Sequence, residues 1–327
     1  MEPSIDVVGV GNAIVDVIAT VSDDFISQHG LVKSAMTLID ADRATSLYDL
    51  MPPGIESSGG SAANTMVGLV SMGGSAAYIG KVRNDQLGEV FRHDLRAAGV
   101  DYEVAPGVDG APTARCLIQV TPDAERTMNT FLGKTVDLAP SDVDEELVSS
   151  ASVTYCEGYL WDAEVAKAAM TQAMDIAHSA GRTVSLTLSD SFCVDRHRDE
   201  WLDLLDDKVD IVFANEAEIC SLFQTDSFGM ASDEIGKLVE VSALTRAADG
   251  STVVTANETW EVSAARVERV VDATGAGDLY ASGFLYGVSH GADLQRCAVL
   301  GGLAAAEVIS HIGARPRQSL SDLVNMQ

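Results

Sequence analysis

Short apolar runs alternate along the chain with longer segments of helical periodicity, a pattern typical of an α/β fold with a mainly parallel sheet. Gly73 stands where a left-handed C-cap is expected for a first helix, and Asn84-Asp85 supplies an N-cap for a second. Strands are predicted at 5–11, 76–80, 153–156, 183–188, 211–213 and 241–245. Helices are predicted at 61–72, 85–98, 163–179, 199–205 and 216–223.

Two regions break this rhythm. Residues 13–39 and 112–132 contain segments of alternating apolar and polar residues, which predict a small antiparallel sheet. Edge strands of the main sheet would show the same alternation, so both arrangements stay open. We favour a lid over the end of the parallel sheet, because one discontinuous lid explains both regions.

The predicted architecture is three-layer α/β/α, with a mainly parallel central sheet and a small discontinuous β-lid. A chain of 327 residues suits one large domain with an insertion. We assign residues 1–12, 56–110 and 135–327 to the large α/β domain. Residues 13–55 and 111–134 are assigned to the lid.

The chain is strongly acidic, with a formal net charge of −28 and a pI near 4.3. Such a surface repels the phosphates of nucleic acid, so we exclude nucleic acid as a partner. The five cysteines are scattered and form no C-x-x-C pair, which favours a reducing compartment, the cytoplasm. No apolar run is long enough for a membrane helix, so no membrane partner is expected. Monomer and homodimer both stay open.

The stretch DATGAGD at residues 272–278 carries the strongest chemical signal. It precedes a predicted helix, which places Asp278 in the first turn. The amides of Gly275, Ala276 and Gly277 would then face one point, where the helix dipole favours negative charge. A carboxylate beside that point can accept the proton of an attacking hydroxyl while the amides stabilise a transferring phosphoryl group. A simple helix cap would explain Asp278 but not the whole stretch.

This stretch resembles the C-terminal signature of the ribokinase or PfkB-type carbohydrate and nucleoside kinases. The resemblance implies that Asp278 is the catalytic base and that Gly275 to Gly277 form an anion hole. It implies ATP and Mg²⁺ as cofactors, a small-molecule acceptor, and a ribokinase-like fold over essentially the whole chain. It leaves activation by a monovalent cation open. The matching positions are Asp272, Thr274, Gly275, Gly277 and Asp278.

Two further motifs resemble those of the same family. The glycine pair in SGGSAANT implies that Gly59, Gly60 and Asn64 contact the substrate, since glycine lets hydroxyl groups approach the main chain closely. An ordinary turn, with Ser61 as the N-cap of the following helix, is the alternative. Asn215 and Glu218 resemble an N-x-x-E motif, in which the acid holds Mg²⁺ through water. At i and i+3 they are predicted to share a helix face, and a solvated surface pair is the alternative.

Asp16 is predicted on the strand face of Ile14 and Ile18, where a carboxylate requires a partner. A buried ion pair would satisfy it, whereas the resemblance assigns it the hydroxyl groups of the substrate. Arg126 resembles a lid arginine that reaches phosphate, with a surface arginine as the alternative.

The nucleotide loop is predicted at 245–251, in TRAADGS. The resemblance assigns Thr245 and Gly250, together with Asp272 and Thr274, to ATP. This chain departs from the family pattern at Ala247 and at Arg83, where glycine is usual.

The acceptor is predicted from GNAIVD, whose spacing resembles the adenosine-kinase branch, and Asn12 favours a nucleoside. Tyr159 or Trp161 offers a ring to stack on a purine, unless both belong to the core. The predicted reaction transfers the γ-phosphoryl group of ATP to a hydroxyl of adenosine or a related nucleoside. A sugar kinase of the same family and a non-catalytic nucleotide or sugar sensor are the alternatives.

Two other nucleotide-binding motifs are present only in part, because each lacks a required glycine. In GVGNAI, Ile14 replaces the third glycine of a dinucleotide fingerprint, which argues against an oxidoreductase. The GKT at 133–135 lacks the first glycine of a P-loop, because that position is Met128.

Overall fold

A computed structural model describes residues 3–123 and 125–325 of the chain. The strands are β1 (Ile5–Val10), β2 (Ile14–Thr20), β3 (Met36–Leu38), β4 (Ile55–Gly59), β5 (Ala76–Ile79), β6 (Ala114–Val120), β7 (Arg126–Phe131), β8 (Ala151–Glu157), β9 (Thr183–Thr187), β10 (Ile211–Asn215), β11 (Val241–Thr245), β12 (Ser251–Val254) and β13 (Thr259–Val262). The α-helices are α1 (Asp23–Gln28), α2 (Ala41–Leu50), α3 (Ser61–Ser71), α4 (Gln86–Ala97), α5 (Glu145–Ser150), α6 (Glu164–Ser179), α7 (Ser191–Lys208), α8 (Glu216–Leu222), α9 (Phe228–Ile235), α10 (Ala276–Ser289) and α11 (Leu294–Val308).

The larger sheet has eight strands in the order β13-β12-β11-β10-β9-β8-β1-β5. The strands from β11 to β5 pair in parallel, and β12 and β13 continue the sheet antiparallel. Val8 is buried in a core that includes residues of α6 and α7, whereas its neighbour Val7 is buried in a core that includes residues of α3 and α10. Successive side chains of a strand point to opposite faces, so helices cover both faces of this sheet. The predicted three-layer α/β/α architecture is confirmed.

The smaller sheet has five strands in the order β3-β7-β6-β2-β4. It is separate from the larger sheet, so the favoured arrangement is observed and these strands are not edge strands of the main sheet. The expectation of an antiparallel sheet is wrong for two of its four pairings, because β2 pairs with β6 and β3 with β7 in parallel. Strand β4 also belongs to this sheet, although residues 56–59 were assigned to the large domain. We therefore propose that the lid extends to Gly59, where the chain enters α3.

Helix α7 differs most from its prediction at 199–205. It begins at Ser191, because the Asp190 side chain accepts a hydrogen bond from the Cys193 amide at 2.6 Å and caps the helix. His197 has a non-helical φ of −123°, which kinks the helix. The apolar periodicity is continuous only after this kink, so the pattern indicated only the second half. In the ranges 3–123 and 125–325, no helix combines the length and the apolar character that crossing a bilayer requires.

Candidate active site

A cavity of about 370 Å³ lies where parallel strands β9, β10 and β11 end, and the smaller sheet contributes part of its wall. Ligands of open α/β sheets bind at this edge of the sheet. Residues predicted for the substrate and residues predicted for the nucleotide line the same cavity. From the predicted set these are Asp16, Asn64, Tyr159, Asn215, Glu218, Thr245, Thr274, Gly275, Ala276, Gly277 and Asp278.

The glycine-rich loop opens helix α10 as expected. Gly275 is the N-cap and has a φ of +79°, a left-handed conformation that a residue with a side chain rarely adopts. The amides of Gly275 and Gly277 have no acceptor among the residues that the structure describes. The Ala276 amide already donates to the Ala273 carbonyl at 3.2 Å, so it is not the free donor that was predicted. The loop therefore offers two free amides at the positive end of a helix dipole.

Asp278 lies in the first turn of α10, and its carboxylate is held from α3. The Ser61 hydroxyl donates to Oδ1 at 2.7 Å, and the Asn64 amide donates to Oδ2 at 3.0 Å. Burial raises the pKa of Asp278 to about 6, against the opposing effect of these two hydrogen bonds and of the Arg315 charge. Asp278 is thus an ionisable acid fixed beside the free amides, with a pKa suited to accepting a proton near neutral pH.

Asp16 faces the same cavity from β2. A Cβ on Gly59 of the neighbouring strand would lie 2.5 Å from this carboxylate, so glycine is required there for close packing. Burial raises the pKa of Asp16 to about 6, and the charges of Arg315 and Arg126 oppose this shift. Within the described residues Asp16 has no ion-pair partner within 4 Å, unlike the buried ion pair considered as the alternative. The carboxylate is therefore available to a ligand.

Asp272 shapes the loop from its other end. Its Oδ1 accepts from the Thr274 amide at 3.0 Å and from the Thr274 hydroxyl at 2.7 Å, and its Oδ2 accepts from the Gly313 amide at 2.8 Å. The same carboxylate forms an ion pair with Arg126 of β7, and both side chains are at most 10% exposed. Arg126 therefore links the smaller sheet to the glycine-rich loop, and its expected contact with phosphate stays a prediction.

The predicted Asn12 is 3% exposed and is not among the residues that line the cavity. It donates from Nδ2 to the Glu157 carboxylate at 2.9 Å, and the Ala62 amide at the start of α3 donates to the same carboxylate at 2.9 Å. Gly60 is the N-cap of α3, and a Cβ on it would lie 2.3 Å from the Asn12 carbonyl oxygen. This cluster fixes the start of α3, the helix from which the Asp278 carboxylate receives its two hydrogen bonds.

Asn215 and Glu218 meet at the start of α8, although not on a helix face as predicted. Asn215 is the N-cap, and the two residues form a capping box. Glu218 is 5% exposed yet lines the cavity, and burial and the neighbouring charge of Asp190 raise its pKa to about 7, while the Asn215 amide opposes the shift.

The loop from Thr245 to Gly250 keeps a tight shape without the expected glycine. The Arg246 amide donates to the Gly250 carbonyl at 2.8 Å, and Gly250 has a φ of +91°. Ala247 has a φ of +48°, so it adopts the left-handed conformation that glycine adopts without strain. Of this loop, Thr245 lines the cavity.

The smaller sheet contributes an apolar wall to the cavity, made of Cys116, Ile118 and Met128. Tyr159 also lines the cavity, and its hydroxyl donates to the Ser189 carbonyl at 3.3 Å. Trp161 belongs to the core instead, where its ring packs 5.0 Å from that of Trp201.

A family model described as pfkB family carbohydrate kinase matches residues 36–320. The chain belongs to the PfkB family. The solved adenosine kinase of Sinorhizobium meliloti is 51% identical to this PfkB kinase over 98% of both chains, with a TM-score of 0.92. A probable sugar kinase of Rhizobium etli CFN 42 is also 51% identical over 98% of both chains, with a TM-score of 0.93. Adenosine kinase of Saccharomyces cerevisiae is 26% identical, covering 95% of this chain and 97% of its own.

These relatives and the site agree on the reaction. This PfkB kinase is an ATP-dependent phosphotransferase that acts on a hydroxyl group of a nucleoside or a sugar. The predicted adenosine-kinase-like branch is supported by the relatives at 51% and 26% identity.

The family implies Mg²⁺, and the oxygen donors of the site fit this ion. Mg²⁺ prefers oxygen ligands and keeps several of its waters, so it needs few protein groups. Glu218 presents a buried carboxylate to the cavity, and Asp190 lies close enough to affect its charge. In this PfkB kinase, Glu218 would hold the ion through water, while the Asp190 carboxylate caps α7 beside it. When bound, Mg²⁺ neutralises phosphate charge.

At saturating ATP and Mg²⁺, where the bound ion keeps Glu218 ionised, we expect kcat/KM for the acceptor to fall below about pH 6, with a log–log slope approaching two. Burial raises the pKa of both Asp16 and Asp278 to about 6, and the ionised form of each is lost as the pH falls through that value. Initial rates measured from about pH 4.5 to 8 test this, and Asp16→Asn should reduce the slope to one. A wild-type profile that stays flat down to about pH 5 would contradict it.

Sequence reasoning missed three residues that hold the site together: Ser61, Glu157 and Arg315. Ser61 was considered only as a helix cap. Glu157 ends the parallel strand β8, and an acid at the carboxyl end of such a strand is a signal that could have found it. Arg315 lies in a loop with no recognisable motif, and only the folded chain brings it to Asn64.

Proposed function

We propose that this PfkB kinase transfers the γ-phosphoryl group of ATP to the 5′-hydroxyl of adenosine or a closely related nucleoside. The observation that supports a nucleoside is the apolar wall of Cys116, Ile118 and Met128, which lies in the same cavity as Asp16 and Asp278. A purine gives such a wall an apolar surface to cover, whereas a simple sugar exposes hydroxyl groups throughout. Ribose hydroxyls would then bind Asp16, and the 5′-hydroxyl would face Asp278.

The residues of the chain account for each part of this transfer. Asp278 accepts the proton as the acceptor oxygen attacks phosphorus, because Ser61 and Asn64 keep its carboxylate in place. The amides of Gly275 and Gly277 donate to the phosphoryl oxygens on which charge develops. Thr245 and Asn215 also line this cavity and would bind the nucleotide.

The test is a coupled assay that compares adenosine, other nucleosides, ribose and fructose at saturating ATP and Mg²⁺. We expect kcat/KM to be highest for adenosine, by about tenfold or more over either sugar, since the apolar wall contributes only to nucleoside binding. Turnover of ribose or fructose with none of adenosine would contradict the proposed acceptor. Binding of ATP and adenosine without any phosphorylated product would instead support a sensor.

We also propose the cytoplasm as the location of this kinase. All five cysteines are free, as expected of a protein in a reducing compartment.

A further inference from the structure

We infer that Arg315 is a positioning residue for phosphoryl transfer, because it orients the Asn64 amide that holds Asp278 and places a positive charge beside Asp278 and Asp16. The inference rests on the proposed function in so far as Asp278 is the base. Arg315 lies after α11, far from the glycine-rich signature in the sequence.

Arg315 orients the side-chain amide of Asn64. The Nε of Arg315 donates to Asn64 Oδ1 at 3.1 Å, which leaves the Asn64 NH₂ group to donate to Asp278 Oδ2 at 3.0 Å. Arginine is only a donor, so it fixes which end of the amide faces the carboxylate. Without Arg315 the amide is free to rotate and present its oxygen to Asp278, which would repel the base.

Arg315 is itself held in place by the smaller sheet and by the glycine-rich loop. Its Nη1 donates at 2.6 Å to the hydroxyl of Ser58, which lies in β4 and is 2% exposed. The preceding residue, Ala314, packs against the phosphate-binding loop, since a Cβ on Gly275 would lie 2.7 Å from the Ala314 carbonyl oxygen. Arg315 therefore connects three parts of the site: the smaller sheet, helix α3 and the loop that carries the free amides.

Arg315 also acts on Asp278 and Asp16 through its positive charge. The charged or titratable groups within electrostatic reach of Asp278 are Asp16 from β2, Tyr155 and Glu157 from β8, and Arg315, and among them it is Arg315 that lowers the pKa of Asp278. Of these, Arg315 carries the positive charge. It also opposes the rise in the pKa of Asp16 more strongly than Arg126 does, and the guanidinium of Arg126 is already paired with Asp272. Arg315 thus favours the ionised state of both carboxylates.

One guanidinium nitrogen of Arg315 remains without a partner. Its Nη2 is withdrawn from solvent and has no hydrogen-bond partner among the residues that the structure describes. A buried unsatisfied donor is unfavourable for stability, and such a cost is expected where a charge serves function. Asp94 of α4 acts on the charge of Arg315 from a further side, next to Ser58, whose amide donates to Asp94 at 3.0 Å.

The experiment compares Arg315→Met and Arg315→Lys with Arg317→Met, a control on the same loop whose exposed guanidinium donates to the Ile312 carbonyl at 3.0 Å. For Arg315→Met we expect kcat at pH 7 to fall by about 10²-fold with little change in KM, and the acid limb of kcat/KM to move up by about one pH unit. Arg315→Lys should restore the acid limb but only part of kcat, because an ammonium group lacks the fixed fork of donors. Arg317→Met should match wild type.

Several results would overturn the inference. One is an acid limb of kcat/KM in Arg315→Met that does not move. Another is a fall in kcat in Arg317→Met as large as that in Arg315→Met. A third is a wild-type kcat in both Arg315→Met and Arg315→Lys. If Arg315→Met does not fold, Arg315→Lys decides alone, since an unchanged kcat there would show that the fork of donors has no role.

A readout independent of turnover separates this inference from the proposed function. The carboxyl carbon of Asp278 is titrated by NMR in ¹³C-aspartate-labelled protein and assigned by its loss in Asp278→Asn. We expect its midpoint to rise by about one pH unit in Arg315→Met. If the wild type phosphorylates no acceptor, the proposed function fails, and the titration still decides: an unmoved midpoint overturns the role of Arg315.

Discussion

The Asp278→Asn variant should bind ATP and adenosine nearly as wild type does and lose about 10²- to 10⁴-fold in kcat. Asparagine has the same shape, can accept the hydrogen bond of Asn64 and can donate to the Ser61 hydroxyl, so the site keeps its geometry. It cannot accept the proton of the attacking hydroxyl at neutral pH. Calorimetry for each ligand and single-turnover product formation measure the two quantities separately.

The matched control for this variant is Asp293→Asn. Asp293 is also an acid at a helix start, where its exposed side chain caps α11 by accepting from the Arg296 amide at 2.8 Å. Asparagine caps a helix as well as aspartate does, so activity and stability should stay unchanged. Asp278→Asn with kcat within about tenfold of wild type would show that Asp278 is not the base.

A Gly275→Ala variant should lose about 10²- to 10³-fold in kcat, the loss expected when hydrogen-bond donors to a developing charge are misplaced. Two effects act together. Alanine is strained at the φ of +79°, and its Cβ would lie 2.7 Å from the carbonyl oxygen and 2.8 Å from the Cα of Ala314. The contact is with backbone, so the loop itself must move. Steady-state kinetics and thermal unfolding together measure the result.

The other end of the same helix supplies the control. Gly291 follows α10 with a φ of +72°, and nothing lies within 4 Å of a Cβ placed on it. Gly291→Ala therefore has the same backbone strain without the crowding and should lose about 1 kcal/mol of stability while keeping kcat. If the two alanine variants have equal kcat, the position of the free amides is not what limits the reaction.

The sequence predicted the elements whose signals are local. Strand β11 matches its prediction, and Asp85 caps α4 as expected, accepting from the Gly88 amide at 2.9 Å. The pairing within the smaller sheet was not predictable, because periodicity shows which face of a strand is apolar but not which strand lies beside it or in which direction. The parallel pairing of β2 with β6 depends on connections of about ninety residues.

In the candidate site too, residues in a contiguous motif could be predicted, whereas residues brought together by folding could not. Asp278 and Gly275 belong to a contiguous motif, so their position at the start of α10 could be predicted from seven residues. Arg126 was assigned to phosphate by resemblance, and its ion pair with Asp272 was not predicted. Glu157 and Arg315 contact the site only after folding, since the residues that they hold lie 95 and 251 positions away. Their roles follow from tertiary contacts that no short motif records.

The ion pair between Arg126 and Asp272 joins the two parts of the protein that we propose bind the acceptor and the phosphoryl group. One partner belongs to the sheet that contributes the apolar wall, and the other sets the shape of the loop with the free amides. A ligand that steadies either part lowers the entropic cost of ordering the other. Thermodynamic linkage makes such a benefit mutual, so we expect acceptor and nucleotide each to increase the affinity for the other by the same factor.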